Sequence, residues 1–142
     1  MTNRHYQFNL LLLLVLLCAA GCGTNVPMGG TVTFSDDGSP LTAGTVFFTT
    51  DTFEARGMLQ SNGTYTIGSV TQADGLPPGK YQVYIRDAHE YRTRNVAEGD
   101  TVADTVVPLI DQKYASPATS GLEVEVNSSS QRTFNFTVDR PN

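Results

Sequence analysis

"LPPGKYQVYIR", residues 76–86, is the stretch whose reading decides the fold. Pro78-Gly79 suits a type II turn, in which proline sets φ and glycine accepts the left-handed position. From Tyr81 onward the side chains alternate. Tyr81, Val83 and Ile85 fall on one face; Gln82, Tyr84 and Arg86 fall on the other. A period of two over six residues predicts a strand with one buried and one wet face.

The same period recurs on both sides. Thr31–Phe34 aligns Val32 with Phe34, Thr45–Thr49 aligns Val46 with Phe48, and Thr64–Ile67 aligns Tyr65 with Ile67. Downstream, Leu122–Val126 and Phe134–Val138 alternate throughout, while Arg56–Gln60 and Asp104–Leu109 are weaker strand candidates. Asp37-Gly38, Asn62-Gly63 and Asp74-Gly75 lie between these runs and suit turns that need a positive φ. Thr, Val, Ser and Gly are plentiful, and no run of helix formers follows residue 21. The expectation is an all-β chain of seven to eight short strands forming a β-sandwich or barrel.

"GTVTFSDDGSPLTAGTVFFTT", "LQSNGTYTIG" and "LPPGKYQVYI", read together, resemble the carboxypeptidase-regulatory-like, transthyretin-like domain. The likeness covers residues 30 to about 87. The tail "DQKYASPATSGLEVEV" followed by "RTFNFTVD" is similar to small planctomycete lipoproteins that carry this domain. The resemblance implies a transthyretin-like or immunoglobulin-like β-sandwich over residues 30–140. It implies no particular activity, because the fold hosts many. Tyr65 and Tyr81 are expected to fill the core and to send their hydroxyls to its edge.

The N-terminus reads as an address. Arg4 precedes the apolar run Leu10–Leu17, and small residues follow, which is the layout of a secretory signal peptide over residues 1–21. About eleven apolar residues are too few for a stable membrane span. Ala19-Ala20-Gly21-Cys22 resembles a bacterial lipobox, with Ala19 in place of the commoner leucine. That resemblance implies cleavage before Cys22 and acylation of its thiol, with residues 22–29 as a lipidated tether. Each buried methylene of such an anchor adds about 0.8 kcal/mol of membrane affinity. Ordinary signal cleavage, leaving a free Cys22, is the alternative. The expected location is the cell envelope, anchored by lipid to a bacterial membrane and facing the periplasm or the exterior.

Cleavage would remove Arg4 and leave eight Lys/Arg against fourteen Asp/Glu, a net charge of about −6, which argues against nucleic acid as a partner. Beyond the signal there is one histidine, His89, so a multi-histidine metal site is excluded. Asp36, Asp37 and Asp51 offer oxygens but lack the calcium-loop spacing, and turn aspartates are ordinary. No cofactor is expected.

One segment stands out. "IRDAHEYRTRNVAEGD", residues 85–100, gathers Arg86, Arg92 and Arg94 with Tyr84 and Tyr91 around a long polar connection. Arg and Tyr are frequent binding anchors, and together they suit a glycan or polyanion. A solvated hairpin whose charges pair locally with Asp87, Glu90 and Glu98 is the simpler reading. "IDQKYASPATSG", residues 110–121, is expected to cross one end of the sandwich. The overall expectation is a non-enzymatic interaction module meeting an envelope protein. Envelope glycan is the alternative ligand, and a hydrolase using His89 is a weaker one.

Overall fold

The computed structural model describes residues 28–68, 75–93, 104–127 and 132–142. Cys22, the signal peptide and Arg94 lie outside them. The strands are β1 (Met28–Phe34), β2 (Thr45–Thr49), β3 (Glu54–Met58), β4 (Thr64–Ile67), β5 (Gly79–Arg86), β6 (His89–Thr93), β7 (Asp104–Pro108), β8 (Leu122–Val126) and β9 (Phe136–Val138). Between β7 and β8 come a 3-10 turn, Gln112–Ala115, and one short helix, α1 (Pro117–Ser120). β1 begins at Met28, two residues inside the stretch read as tether.

The chain is an all-β sandwich. One sheet has the order β4-β1-β9 and the other β3-β2-β5-β8; β6 and β7 form a separate hairpin. β1 and β9 run parallel, so the first and last described strands lie side by side, with Val32 opposite Phe136 and Phe34 opposite Val138. The other pairs are antiparallel. At one side the sheets are joined, because Arg56 of β3 exchanges two 3.2 Å hydrogen bonds with Gly68 beyond β4.

Period-two alternation aims one face of each sheet inward, and the core forms between them. Phe48, fully buried, is its hub: the Tyr65, Tyr81 and Phe136 rings lie 6.1–6.4 Å from it, centroid to centroid. These tilted and edge-on contacts add to the area that each ring withdraws from water. Tyr65 and Tyr81 satisfy their hydroxyls at the margin. Tyr65 donates to the Phe134 carbonyl at 2.6 Å, and Tyr81 donates to the Pro77 carbonyl at 2.7 Å.

Gly38, Gly63 and Gly75 take the positive φ expected of them, 70°, 76° and 75°. Gly79 does not; it opens β5 in ordinary strand geometry. The alternation of β5 also carries an exception. Tyr84, expected on the wet face, is only 7% exposed, because its ring stacks on Phe47 of β2 at 4.8 Å and 12°. Phe47 and Tyr84 are register partners, so the outer face of the four-stranded sheet has a small apolar cluster of its own. The segment read as a long polar connection, in its simpler form a solvated hairpin, contains β6, paired with β7 from His89↔Pro108 to Thr93↔Asp104.

Residues 110–121 do cross the end of the sandwich. Asp111 accepts from the Lys113 N–H at 2.9 Å and starts the 3-10 turn, which buries Tyr114. Ser116 caps α1, Pro117 sits in its first turn, and Gly121 closes it with φ 67°. These are the residue types that helix ends favour. Ser120, buried in α1, donates to the Val83 carbonyl and ties the crossing to β5.

Candidate functional site

The site is made where β5 leaves the sheet. Asp87 has a positive φ of 57°, which an aspartate tolerates better than most side chains and which turns the backbone sharply. The His89 N–H donates to the Asp87 carbonyl at 3.0 Å, and Ala88 takes the Leu109 N–H at 2.9 Å. Beyond this turn β6 and β7 form a sheet of their own, and a groove of about 600 Å³ lies between residues of the turn, the hairpin and the 110–115 crossing. Ile85, Ala88, Pro108 and Ile110 supply apolar wall; Arg86, His89 and Gln112 supply polar groups. Asp111 also lines the groove, with one carboxylate oxygen committed to Lys113.

The hairpin presents two large side chains outward. Tyr91 and Val106 face each other across β6 and β7 and are 67% and 54% exposed. The Tyr91 ring meets His89 edge-on at 5.1 Å, so His89 is a half-buried strand residue rather than an exposed loop one. Among the described residues no hydrogen bond joins His89 to a hydroxyl or a carboxylate. Thr93 donates to Asp104 at 2.9 Å and fastens the far end of the hairpin.

The residues singled out in the sequence are divided by the fold. Arg86 reaches the groove, and Tyr91 crowns the hairpin. Arg92 is engaged by its own strand neighbour: its Nε lies 2.6 Å from Glu90 Oε1. Tyr84 is covered on the sheet and donates to Glu54 Oε2 at 2.8 Å; burial, then the Glu54 carboxylate, pushes its hydroxyl above the ordinary tyrosine range. Val106, Pro108, Ile110 and Gln112 went unnoticed as site residues. The alternation in 104–109 signalled a strand, but nothing local showed that it folds over the β5 corner.

Just before Pro141 and Asn142, which also line the groove, the turn aspartates hold an arginine. Arg140 reaches Asp36 at 2.9 Å and Asp37 at 3.0 Å, and its guanidinium lies 3.7 Å from the centre of the Phe34 ring. Hydrogen bonds from Ser39, with Arg140 adding to them, hold Asp37 below the usual carboxylate range. No cluster of three or more metal-ligating side chains occurs among the described residues.

No protein-family model matches the chain, and no curated protein matches it. Two solved structures are similar in part. The major pilin subunit BcpA of Bacillus cereus aligns at 15% identity and a TM-score of 0.42, covering 82% of this chain and 30% of the pilin. A 9R-lipoxygenase from Cyanothece aligns at 14% identity and a TM-score of 0.35, covering 82% of this chain and 16% of the enzyme. The chain thus spans less than a third of either neighbour. No helix among the described residues is long and apolar enough to cross a membrane.

Proposed function

We propose that this protein is a non-enzymatic interaction module of the bacterial cell envelope, anchored by lipid on Cys22 and meeting an envelope protein through the face of the β6–β7 hairpin. One observation carries the reading: Tyr91 and Val106 stand exposed as a cross-strand pair beside an apolar-walled groove. An exposed aromatic next to a concavity is the usual form of a binding anchor.

The test is cross-linking in intact cells with a C-terminally tagged copy, the Cys22→Ala form serving as control. One or two proteins recovered only with the anchored form support the reading. Tyr91→Ser with Val106→Ser, both at exposed positions, removes that recovery while the fold persists. Cys22→Ala moves the protein out of the membrane fraction; retention there overturns the lipid anchor.

Glycan is the second reading, favoured by the open Tyr91 ring and by Arg86 at the groove. Binding to isolated envelope polysaccharide that disappears in Tyr91→Ser would give it precedence. A hydrolase using His89 is the third: ester or amide turnover lost in His89→Ala supports it, and equal turnover in the variant removes it.

A further inference from the structure

The two sheets end in four strand edges. β3 and β4 are joined to each other through Arg56 and Gly68. β9 is three residues long, and the residue after it, Asp139, already accepts the Asp111 N–H. β8 differs. Among the described residues it pairs with β5 and with no strand on its far side. The Leu122 N–H is taken by Ser120 Oγ at 3.3 Å, and beyond it the alternate backbone donors and acceptors that point away from β5 are a template for another strand.

The side chains say which strand fits. Leu122, Val124 and Val126 turn toward the core, while Glu123 and Glu125 are exposed on the outer face. Neither glutamate is in an ion pair among the described residues. In an antiparallel pairing of two copies along this edge, Glu123 would stand opposite the Glu125 of the second copy, about 5 Å away. A one-residue slip would turn the glutamates to the core side, and a two-residue slip again sets glutamate against glutamate. The net charge of −5 opposes self-pairing as well. Beside β8, on the same face, lies a groove of about 630 Å³ bordered by Asp51, Glu123 and Glu125, with Lys80 as its cation.

We propose that β8 is a docking edge for an extended basic segment of another protein. The segment would add as a fifth strand, with lysine or arginine at alternate positions beside Glu123 and Glu125 and their long side chains reaching over the groove. Backbone pairing would supply the attraction common to any strand, and the glutamates would select the basic one. This surface is separate from the hairpin face, and neither depends on the other.

Two labelled heptapeptides test it by fluorescence anisotropy with the full-length chain: alternating lysine and valine, and alternating glutamate and valine. The basic peptide binds saturably and the acidic one does not. N-methylation of alternate backbone amides weakens the basic peptide at least tenfold. Glu123→Lys with Glu125→Lys, both at exposed positions, weakens it at least tenfold and gains the acidic peptide. Equal binding of the two peptides, binding of neither, or indifference to N-methylation or to the charge reversal overturns the proposal. So does a concentration-dependent dimer abolished by that reversal, which would assign the edge to a second copy.

Discussion

Tyr65 stands directly opposite Gly30 in the β1–β4 pair, and its hydroxyl reaches past that glycine to the Phe134 carbonyl, 2.6 Å away. A Cβ on residue 30 would lie 1.8 Å from the same carbonyl oxygen and 3.0 Å from the tyrosine hydroxyl. The missing side chain is therefore what lets the run into β9 close against β1. Tyr65→Phe is expected to cost about 1–3 kcal/mol, since it leaves the carbonyl without its donor. Gly30→Ala is expected to cost more than the roughly 3 kcal/mol usual for overpacking, because the clash is with backbone. Urea unfolding of both variants checks the order; equal midpoints would show that the closure does not depend on Gly30.

Phe48→Ala addresses the centre. Its ring is fully buried and meets three others drawn from both sheets. Truncation is expected to cost about 3–5 kcal/mol. Phe47→Ala, one residue away on the outer face, leaves those contacts intact and removes mainly the stack on Tyr84. Its loss in a denaturant titration is expected to be clearly smaller, and an equal loss would mean that the outer cluster is as important to the fold as the core.

The turn into the hairpin makes a third case. Asp87 holds a left-handed φ of 57°, and Asp87→Gly removes the steric cost of that conformation. The glycine variant is expected to match or slightly exceed wild type, whereas Asp87→Val is expected to lose about 1–2 kcal/mol. Thermal unfolding of the pair reports the difference. A valine variant as stable as the glycine one would show that this backbone angle is not maintained in solution.

Much of the fold was legible because alternation is a local signal. The bounds of β2, β4 and β8 follow from Val46 and Phe48, from Tyr65 and Ile67, and from the strict apolar-acidic order of Leu122–Val126. Tyr84 lies on the outer face as the alternation assigns it but is not wet, because alternation assigns a face and not what covers it; Phe47 covers it only through the β2–β5 register, which no short window contains. The bounds of β6 within the hairpin were not legible because His-Glu-Tyr-Arg-Thr buries little and has no apolar period; pairing with β7 defines them. The groove has the same origin. Arg86 and His89 lie close in sequence, but Pro108 and Ile110 reach them through long-range pairing. The cluster around Asp139 was equally hidden, its three donors being scattered over residues 35, 113 and 114.

That cluster gives the pH prediction. Asp139 Oδ1 takes the Ser35 hydroxyl at 2.6 Å; Oδ2 takes the Lys113 ammonium at 2.6 Å and the Tyr114 hydroxyl at 3.0 Å. The Lys113 hydrogen bond first, then those from Ser35 and Tyr114, lowers its pKa to about 2. An unfolded aspartate titrates near ~3.9. The folded state therefore binds the proton less readily than the unfolded one, so the contribution is complete above about pH 4 and is lost as the pH falls through about 2. Asp37, also lowered, acts in the same direction, so wild-type stability alone does not isolate Asp139. The difference between wild type and Asp139→Asn does. That gap is expected to be constant from neutral pH down to about 4 and to shrink steadily toward pH 2. Urea midpoints at half-unit intervals measure it, and a gap that stays level to pH 2 would mean that the carboxylate's charge is not what holds Ser35, Lys113 and Tyr114 together.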